Sequence, residues 1–324
     1  MRIGLAGCGH LGSRHASKLA ARADLGDGPS DARRLVLFDT SADRAATLAG
    51  QLGVTAAPGF GELLDSTDAV VIAAPTVAHA ALGIRALEAG RHVLVEKPIA
   101  VTLAEADALV SAARAASCIL MVGHIERFNP AVRQLEGRLR TPRFIEGHRL
   151  AEYQPRSLDI DVILDLMIHD IDLVLHLVRE LPSRIEAAGT PVLSGKIDIA
   201  NARLSFPGGA VANLTASRVS LTRTRKIRFF MPETYVSIDL AARGAQFYRL
   251  AGGATEPVAS AEEFLARLSH ESFVDDGRDQ LDAEHSAFLA AVRGESPNPI
   301  PGEDGRAALA VAMEVIGRLA ERVE

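Results

Sequence analysis

The sequence has few cysteines, no long apolar run and no surplus of positive charge, and each shortage excludes a class of protein. Its 2 cysteines, Cys8 and Cys118, provide neither a disulfide framework nor a CxxC metal pair, so a reducing cytoplasm is the expected compartment. No apolar stretch reaches the roughly 18 residues of a membrane helix. Glycines interrupt the N-terminal apolar run, so it is expected to be a strand rather than a signal peptide. The net charge of −6 argues against a nucleic-acid-binding surface.

The length of 324 residues predicts two domains rather than one. Up to about residue 123, short apolar runs alternate with alanine-rich helical stretches, which is typical of a doubly wound parallel sheet. Beyond residue 140 the pattern changes to strand-like segments separated by turns, which indicates an antiparallel sheet. The fold class is therefore α/β: a Rossmann domain over 1–123 and an α+β domain with a large open sheet over 124–324. The C-terminal helices are able to pack back toward the first domain.

The predicted elements can be given by residue. The strands of the first half are Arg2–Ala6, Leu35–Phe38, Ala69–Ala74, His92–Val95 and Ile119–Val122. The second half begins with one long apolar helix, Val162–Val178, and continues with the strand-like segments IDIANARLSF, GAVANLTASRV, RKIRFFM, TYVSIDL and AQFYRL. Two helices around a Pro/Gly loop end the chain.

A glycine-rich turn follows the first predicted strand. Gly7, Gly9 and Gly12 form G-x-G-x-x-G between a strand and a helix. Glycines at these positions permit a tight turn and let the backbone approach a pyrophosphate, which is stabilised by the positive N-terminus of the helix. The alternative is an ordinary strand-to-helix turn, but the position after the first strand of an alternating α/β half favours a dinucleotide site.

Asp39 lies at the carboxyl end of the second predicted strand. A carboxylate there accepts hydrogen bonds from an adenosine ribose and repels a 2′-phosphate, so NAD is predicted in preference to NADP. Asp39 lies further from the glycines than the usual spacing, and the polar segment ADLGDGPSDARR is interpreted as a surface insertion that accounts for the excess. Two alternatives remain: an ordinary turn aspartate, or a site in which nearby Arg44 binds a 2′-phosphate.

Polar residues also end the other strands of the first half. They are Pro75-Thr76, Glu96-Lys97-Pro98 and Gly123-His124. Ligands of an open parallel sheet bind beyond the carboxyl ends of its strands, so these residues are expected to line one crevice with the glycine turn. Lys97 would then reach a substrate held against the nicotinamide, with Pro98 fixing its backbone. The alternative is a solvated turn lysine paired with Glu96.

The long apolar helix carries a polar stripe. Asp165, His169, Asp172 and His176 stand at i, i+4, i+7 and i+11, on one face of an α-helix. Buried polar groups need partners, so the stripe requires an explanation. Asp165 orienting the His169 imidazole for proton transfer is one explanation. A shared metal ion is a second, and hydrogen-bonded core histidines are a third, favoured for His176 over His169.

These motifs occur in the order GCGHLGSRH, AAPTVAH, VEKPI, GHIERFNP, DLMIHDID and DGRAALAVAMEV, and together they resemble the Gfo/Idh/MocA family of oxidoreductases. The resemblance covers essentially the whole chain. It implies an N-terminal Rossmann domain, a C-terminal domain with an open sheet, and hydride transfer between a nicotinamide cofactor and a secondary alcohol of a sugar or cyclitol. It also implies a homodimer or homotetramer assembled through that sheet. No nucleic-acid or membrane partner is expected.

The resemblance also implies roles for individual residues. Lys97 would stabilise the developing alkoxide and His169, oriented by Asp165, would accept the proton, although either could be the first acceptor. The residues expected to bind the cofactor are Gly7, Gly9, His10, Leu11, Gly12, Asp39, Ala74, Pro75, Thr76, His79, Glu96 and Lys97. Ala74 stands where the family has threonine. The residues expected to bind the substrate are Lys97, His124, Arg127, Arg156, Asp165 and His169, and no metal is predicted.

Two segments suggest a particular substrate. VGHIERFNPAV and LDIDVILDLMIHDIDLVL resemble a subgroup of the family that oxidises the 3-hydroxyl of UDP-N-acetylglucosamine on the route to amino-substituted lipid A. Arg127, Arg149 and Arg156 lie in or near these segments and are candidates for binding its diphosphate. The alternatives are a dehydrogenase of a free sugar or inositol and a non-catalytic sugar-binding regulator with a Rossmann fold.

Overall fold

The computed structural model describes residues 1–25, 34–139, 142–153, 160–252, 259–275 and 277–320. These residues form two compact units: Met1–Ile125 with Leu281–Leu309, and Glu126–Gln280 with Ala310–Glu324. Residues 26–33, most of the predicted surface insertion, lie outside the described ranges, as does Arg156. Among the described helices, none is long and apolar enough to cross a membrane.

The first unit contains a six-stranded parallel sheet. Its strands are β1 Ile3–Ala6, β2 Leu35–Phe38, β3 Thr55–Ala56, β4 Ala69–Ile72, β5 His92–Glu96 and β6 Leu120–Gly123, in the order β3-β2-β1-β4-β5-β6. Adjacent strands pair in parallel. This is the order of dinucleotide-binding folds, and the change of direction between β1 and β4 opens a crevice at the carboxyl ends of these strands. The doubly wound sheet predicted from the sequence is confirmed.

Helices connect these strands. They are α1 His10–Ala20, α2 Ala42–Leu52, α3 Phe60–Asp65, α4 His79–Glu88 and α5 Leu103–Ala116, with 3₁₀ turns at Ala23–Leu25, Thr76–Ala78 and Ile125–Phe128. Their ends follow from local sequence. At the start of α5, Thr102 and Glu105 form a reciprocal capping box. The α2 helix ends at Gly53, whose φ of 65° suits a residue without a side chain.

The second unit contains an eight-stranded sheet. Its strands are β7 Phe144–Leu150, β8 Arg184–Thr190, β9 Ile199–Ser205, β10 Val211–Ser217, β11 Thr224–Met231, β12 Thr234–Asp239, β13 Gly244–Leu250 and β14 Leu268–Phe273. Their order is β14-β13-β12-β11-β7-β10-β9-β8, and only the β7–β10 pair is parallel among the described strands. The predicted open, mostly antiparallel sheet is confirmed, although the sequence prediction missed β7, β8 and β14.

Helices cover one face of this second sheet. The helices of the unit are α6 Pro130–Arg133, α7 Ile168–Val178 and α8 Ala261–Arg267. Along β7, Ile145, Gly147 and Arg149 are buried, whereas the residues between them are half-exposed. A Cβ on Gly147 would lie 4.0 Å from Cβ of Asp170, so the buried face of β7 is the one that α7 covers. Strands covered on one face alternate in this way.

The predicted continuous α-helix over Val162–Val178 is wrong at its beginning. Residues Ile163–Met167 form a π-helical turn, and the α-helix begins only at Ile168. A π-turn closes its hydrogen bonds one residue further along the chain than an α-turn does. The angular step from Asp165 to His169 therefore differs from the α-helical spacing on which the polar stripe was predicted.

The segment Leu281–Leu309 belongs to the first unit, although the sequence prediction assigned it to the second domain. It contains most of α9 Gln280–Val292 and the start of α10 Gly302–Ala320. Between these helices, Ile300 O accepts a hydrogen bond from Val122 N at 3.0 Å, and Asn298 Nδ2 donates to Leu120 O at 2.9 Å. An exposed sheet edge offers unpaired backbone groups, and this segment covers that edge at β6.

Candidate active site

Each of the three positions Gly7, Gly9 and Gly12 after β1 favours glycine for a different structural reason. Gly7 has φ +98°, and a Cβ there would lie 2.6 Å from Ala74 N. A Cβ on Gly12 would lie 1.8 Å from Gly7 O, so only glycine permits this approach of helix to strand. A Cβ on Gly9 would meet nothing within 4 Å. Gly9 therefore leaves open space, which is what a pyrophosphate at this turn requires.

The α1 helix begins beside this space. Gly9 is its N-cap and supplies no side-chain hydrogen bond, and His10 and Leu11 in the first turn are exposed. The N-terminus of a helix carries unsatisfied N–H groups and a partial positive charge, which together stabilise a phosphate. The structure thus brings the predicted residues from Gly7 to Gly12 together at one exposed turn, and they fit a dinucleotide.

The carboxylate of Asp39 is fixed against the glycine turn. Its Oδ2 accepts a hydrogen bond from Cys8 N at 2.7 Å, and its Oδ1 accepts one from Ser41 N at 2.8 Å. Burial alone would raise the pKa of Asp39, but these bonds and the Arg44 guanidinium outweigh it and lower that pKa. An ionised carboxylate at the end of β2 fits the ribose of NAD.

Arg44 already has an anionic partner within the protein. Its Nη1 lies 3.3 Å from Asp39 Oδ1, and 56% of its side chain is exposed. A cavity of about 370 Å³ lies beside this pair. Its lining residues are Cys8, Ser13, Asp43, Arg44, Thr47, Leu48 and Gln51. The cavity provides room for the adenosine end of a dinucleotide next to Asp39.

The His79 imidazole bonds the backbone just beyond the ends of β4 and β5. Its Nδ1 lies 2.9 Å from Pro98 O and its Nε2 lies 2.9 Å from Ala74 O, and 1% of the residue is exposed. Burial lowers the pKa of His79. Both ring nitrogens are bonded inside the protein, and contact of His79 with the cofactor stays a prediction. Of the neighbouring predicted residues, Pro75 is exposed, and Ala74 and Thr76 are half-buried.

Glu96 and Lys97 are adjacent but lie in different surroundings. Glu96 is 6% exposed, its Oε1 lies 2.8 Å from His15 Nε2, and its Oε2 accepts a hydrogen bond from Lys97 N at 3.2 Å. Lys97 is half-buried at the end of β5, and the Lys97–Pro98 peptide bond is cis. The Glu96 carboxylate is bonded to interior groups, and its contact with the cofactor stays a prediction.

Asp165 and His169 lie on either side of the transition from π-turn to α-helix. Asp165 is inside the π-turn, His169 is in the first turn of α7, and both are half-buried. Short π-helical turns occur frequently at functional sites. The site that the sequence predicts therefore coincides with a local departure from regular helix.

The C-terminal part of the predicted polar stripe, Asp172 and His176, contacts an arginine. Arg127 Nε donates to Asp172 Oδ2 at 2.9 Å, its Nη2 donates to Asp172 Oδ1 at 2.5 Å, and its Nη1 lies 3.3 Å from His176 Nδ1. Arg127 is 6% exposed. The guanidinium of Arg127 thus forms a bidentate buried ion pair with Asp172, and its contact with the substrate stays a prediction.

Arg149 lies in a second buried ion-pair network, which sequence reasoning missed. Its Nη2 donates to Asp170 Oδ1 at 2.7 Å and its Nη1 donates to Glu126 Oε1 at 2.9 Å. Burial raises the pKa of Asp170 despite the guanidinium beside it. Arg149 is 2% exposed, so it is unavailable to a diphosphate and that suggestion is corrected. The inward alternation of β7 was the sequence signal that could have indicated its burial.

His124, the last predicted substrate residue in the described ranges, is 1% exposed. It follows β6, and its backbone N–H donates to Val122 O at 2.8 Å. The His124 side chain is buried, and its contact with the substrate stays a prediction. Of the substrate residues predicted from the sequence, Lys97, Asp165 and His169 are half-buried and remain candidates.

Comparison with known proteins gives matches along the chain. The family model described as "Oxidoreductase family, NAD-binding Rossmann fold" matches residues 1–124, and the model of the GFO/IDH/MocA C-terminal domain matches residues 131–235. The first unit is therefore an NAD-binding Rossmann unit. The glycine turn, the helix N-terminus and Asp39 are the residues that fit this cofactor.

Individual relatives are similar over nearly the whole chain. UDP-N-acetylglucosamine 3-dehydrogenase of Acidithiobacillus ferrooxidans is 39% identical, with 97% of this chain and 96% of the relative covered. Myo-inositol 2-dehydrogenase of Thermotoga maritima is 26% identical, with 95% and 93% covered. A solved structure of the Acidithiobacillus ferrooxidans enzyme superposes with a TM-score of 0.89 at 38% identity, covering 98% of this chain and 97% of that one.

Proposed function

We propose that this chain, which belongs to the Gfo/Idh/MocA family of oxidoreductases, oxidises the 3-hydroxyl of UDP-N-acetylglucosamine to a ketone with NAD. Oxidoreductase activity on CH–OH groups is common to the family and its relatives. The observation that carries the choice of substrate is the 39% identity over 97% of the chain to an enzyme of that name. A 3-keto sugar is a substrate for transamination, so we place the reaction on the route to amino-substituted lipid A.

NAD accepts the hydride that leaves the reacting carbon. In this proposal, the turn from Gly7 to Gly12 holds its pyrophosphate and Asp39 accepts hydrogen bonds from its ribose. The exposed first turn of α1 and the open space at Gly9 support this role. Pro75 and Thr76 follow β4, the strand next to β1, and complete the cofactor site in the proposal.

Two side chains handle the proton and the developing charge. The Lys97 ammonium donates a hydrogen bond to the oxygen of the reacting hydroxyl and stabilises the charge that develops there. The His169 imidazole, oriented by Asp165, accepts the hydroxyl proton as the hydride leaves the same carbon. The half-buried position of all three side chains supports roles that require both a ligand face and a fixed orientation.

Ligand-induced thermal stabilisation tests the substrate directly. With NADH present, we expect UDP-N-acetylglucosamine to raise the Tm, and free N-acetylglucosamine and myo-inositol to have little effect, because a bound ligand stabilises the folded state. Stabilisation by myo-inositol alone would instead favour the inositol dehydrogenase alternative, for which the 26% identical relative is the support. Stabilisation by the UDP-sugar without NADH formation in a turnover assay with NAD would favour the non-catalytic regulator.

We expect the protein to bind NAD(H) more tightly than NADP(H). Asp39→Ser should narrow this preference by about tenfold to a hundredfold, because a hydrogen bond to a charged group contributes about 1.5–3 kcal/mol. Titration of wild type and variant with both cofactors measures the preference for NAD(H) over NADP(H). The control is Asp65→Ser, because Asp65 is an exposed acid at the end of α3. Wild-type binding of NADP(H) as tight as that of NAD(H) would contradict the assignment of Asp39.

We expect activity to survive exhaustive chelation. Within the described ranges, the group of three close potential ligands is His15, Glu96 and Glu284, and neither Asp165 nor His169 belongs to it. The Asp–His pair alone offers too few ligands for a catalytic metal, which usually has three protein ligands. Turnover after dialysis against EDTA is the measurement. Loss of turnover that zinc or manganese restores would make the Asp165–His169 pair a metal site.

The face of the second sheet opposite α7 carries a row of aromatic rings. Phe144, Phe230, Tyr235, Tyr248 and His270 are successive cross-strand partners on β7, β11, β12, β13 and β14. Their neighbouring ring centroids are 5.7, 5.0, 5.5 and 4.6 Å apart. The four aromatic side chains are half-buried and His270 is exposed, and contiguous apolar patches at a surface mark interaction sites. We therefore propose that a second copy of the chain covers this aromatic row.

Tyr235→Glu should dissociate this assembly, because it places a charge in the middle of the proposed interface. Size-exclusion chromatography with light scattering measures the mass of wild type and variant. Tyr153→Glu is the control, since Tyr153 is 48% exposed and lies outside the aromatic row. A wild type that is monomeric at all accessible concentrations would overturn the proposal.

A further inference from the structure

Four titratable side chains form a buried cluster in the first unit, next to Lys97. His15 comes from α1, Glu96 from β5, and Glu284 and His285 from α9. His15, Glu284 and His285 are each 0% exposed, and Glu96 is 6% exposed. Burying four such groups is costly unless they bind one another, so the cluster requires an explanation.

Hydrogen bonds link α9 to the backbone of Lys97 through this cluster. His285 Nε2 lies 2.9 Å from His15 Nδ1, and His15 Nε2 lies 2.8 Å from Glu96 Oε1. The other oxygen of Glu96, Oε2, accepts a hydrogen bond from Lys97 N at 3.2 Å. Both oxygens of Glu96 are therefore bonded, one to an imidazole and one to the residue that we assign to catalysis.

The orientation of the Glu96 side chain is also restricted sterically. Gly123 on the neighbouring strand β6 lies against it, and a Cβ at that position would be only 3.0 Å from Glu96 Cδ. Side chains in protein interiors occupy well-packed rotamers, and this contact leaves little room for another one. The carboxylate that bonds Lys97 N is thus held by His15 on one side and by the β6 backbone on the other.

Glu284 completes the cluster as a carboxyl group close to Glu96. Potential ligand atoms of His15, Glu96 and Glu284 all lie within 4.8 Å of one another. Neither oxygen of Glu284 has a hydrogen-bond partner among the described residues. Burial, together with the charge of Glu96, raises the pKa of Glu284 well above its usual range. Burial lowers the pKa of His285, which is neutral.

We propose that His15, Glu284 and His285 are positioning residues for Lys97. His15 bonds the Glu96 carboxylate, His285 holds His15, and Glu284 acts through its buried position beside Glu96. The Glu96 carboxylate in turn fixes the backbone from which the Lys97 side chain extends. This inference rests on the proposed function, because it assigns the cluster a purpose in the chemistry of Lys97. Small displacements of a catalytic group are known to lower turnover by up to about 100-fold.

His15→Gln and Glu284→Gln test the proposal, because a positioning role predicts a lower kcat with an unchanged Kd for NAD(H). We expect each variant to lower kcat by about tenfold to a hundredfold while the Kd for NAD(H) stays within about twofold, because Lys97 is displaced and the glycine turn is not. Lys18→Ala is the matched control. It removes the Lys18–Asp282 ion pair, which joins the same two helices at 2.8 Å but lies at the surface. Its kcat should equal that of wild type.

Adding His15→Gln to the Lys97→Met variant distinguishes a positioning role of His15 from a general structural role. If His15 acts through Lys97, adding His15→Gln to Lys97→Met should cause no further loss, since residues that act as one unit are not additive. A loss that multiplies with that of Lys97→Met would overturn the proposal. So would unchanged kcat in both glutamine variants.

Competitive labelling of lysine amines provides a readout that requires no substrate. The pH dependence of Lys97 modification, followed by mass spectrometry, reports the surroundings of its ammonium group. We expect a shift in His15→Gln and Glu284→Gln but not in Lys18→Ala. The other charges near the cluster are Lys18 from α1, Arg22, which follows α1, and Asp282 from α9, and all three are the same in wild type and in both glutamine variants.

The labelling result distinguishes failure of the proposed function from failure of the positioning role. A shift in labelling, with a wild type that turns over no sugar tested, would overturn the proposed function and keep the link between the cluster and Lys97. Normal labelling and normal kcat in both glutamine variants, with an active wild type, would overturn the positioning role alone. Stoichiometric zinc in the purified protein that is lost in Glu284→Gln would also overturn it, because the cluster would then be a metal site.

Discussion

Lys97→Met should leave the Kd for NAD nearly unchanged and lower kcat with UDP-N-acetylglucosamine by about two to four orders of magnitude. The variant keeps the length of the side chain but removes the ammonium group that stabilises the developing alkoxide. Because Glu96 bonds the backbone N–H of Lys97, which the substitution retains, the β5 end should keep its structure in the variant. Steady-state kinetics and cofactor titration measure the two quantities. Lys196→Met, at an exposed lysine, is the control and should have wild-type kcat.

His169→Ala should show a loss of similar size, and the double variant should be little slower than either single one. Both groups serve the same chemical step, and removing the second group costs little once the first is gone. A Lys97→Met enzyme within a few-fold of wild type would contradict the proposal. The lysine would then be a solvated turn residue, whose loss costs at most about 1 kcal/mol of stability.

Arg149→Met should reduce the free energy of unfolding by about 3–5 kcal/mol, because removing one partner of a buried ion pair leaves uncompensated charge. Arg149 holds both Asp170 and Glu126, and all three side chains are almost completely buried. Methionine retains the apolar part of the side chain, so the change tests charge more than volume. Urea denaturation at neutral pH, with the midpoint and the slope recorded, is the measurement.

Two further variants make this stability test specific. Arg184→Met removes an ion pair with Glu186 whose side chains are 71% and 40% exposed, and it should change stability by no more than about 1 kcal/mol. Combining Arg149→Met with Glu126→Gln and Asp170→Asn removes all three charges and should recover much of the lost stability. An Arg149→Met protein as stable as Arg184→Met would mean that the buried network contributes little.

The Rossmann half of the fold could be predicted because its signals are local. A strand, a glycine turn and a helix follow one another within a few residues. The residue type and the spacing of Gly7, Gly9 and Gly12 indicate the turn. The grouping of polar residues at strand ends was also predictable, since parallel strands all end at one edge of the sheet. Pro75 and Lys97 lie at such ends in the structure.

The interior partners of several predicted site residues could not be predicted in this way. His79, Glu96 and Arg127 are polar residues next to predicted site motifs, and each has a buried partner distant in sequence. Glu96 bonds His15, and Arg127 bonds Asp172. Sequence position shows which residues lie near a strand end, but not which side of the strand a side chain takes or which partner it meets. Pairing of this kind depends on the folded chain.

The π-turn could not be predicted, and the return of the C-terminal helices toward the first unit was anticipated only in outline, without its contacts. The apolar pattern over Val162–Val178 fits an α-helix, and nothing local marks the extra residue in the first turn. The covering of β6 by Asn298 and Ile300 joins parts of the chain far apart in sequence. Apolar periodicity carries no information about such a return.

The return of Leu281–Leu309 to the first unit has a consequence for synthesis on the ribosome. Domains generally fold as units, the N-terminal one first, while the chain is still emerging. Here the strand β6 has emerged long before the residues that cover its edge, and α9 with Glu284 and His285 is also made late. The nucleotide-binding unit is therefore begun first but completed last, after the entire second sheet has been translated. A mutation or stop codon within Leu281–Leu309 therefore acts on the unit whose other residues were made earliest.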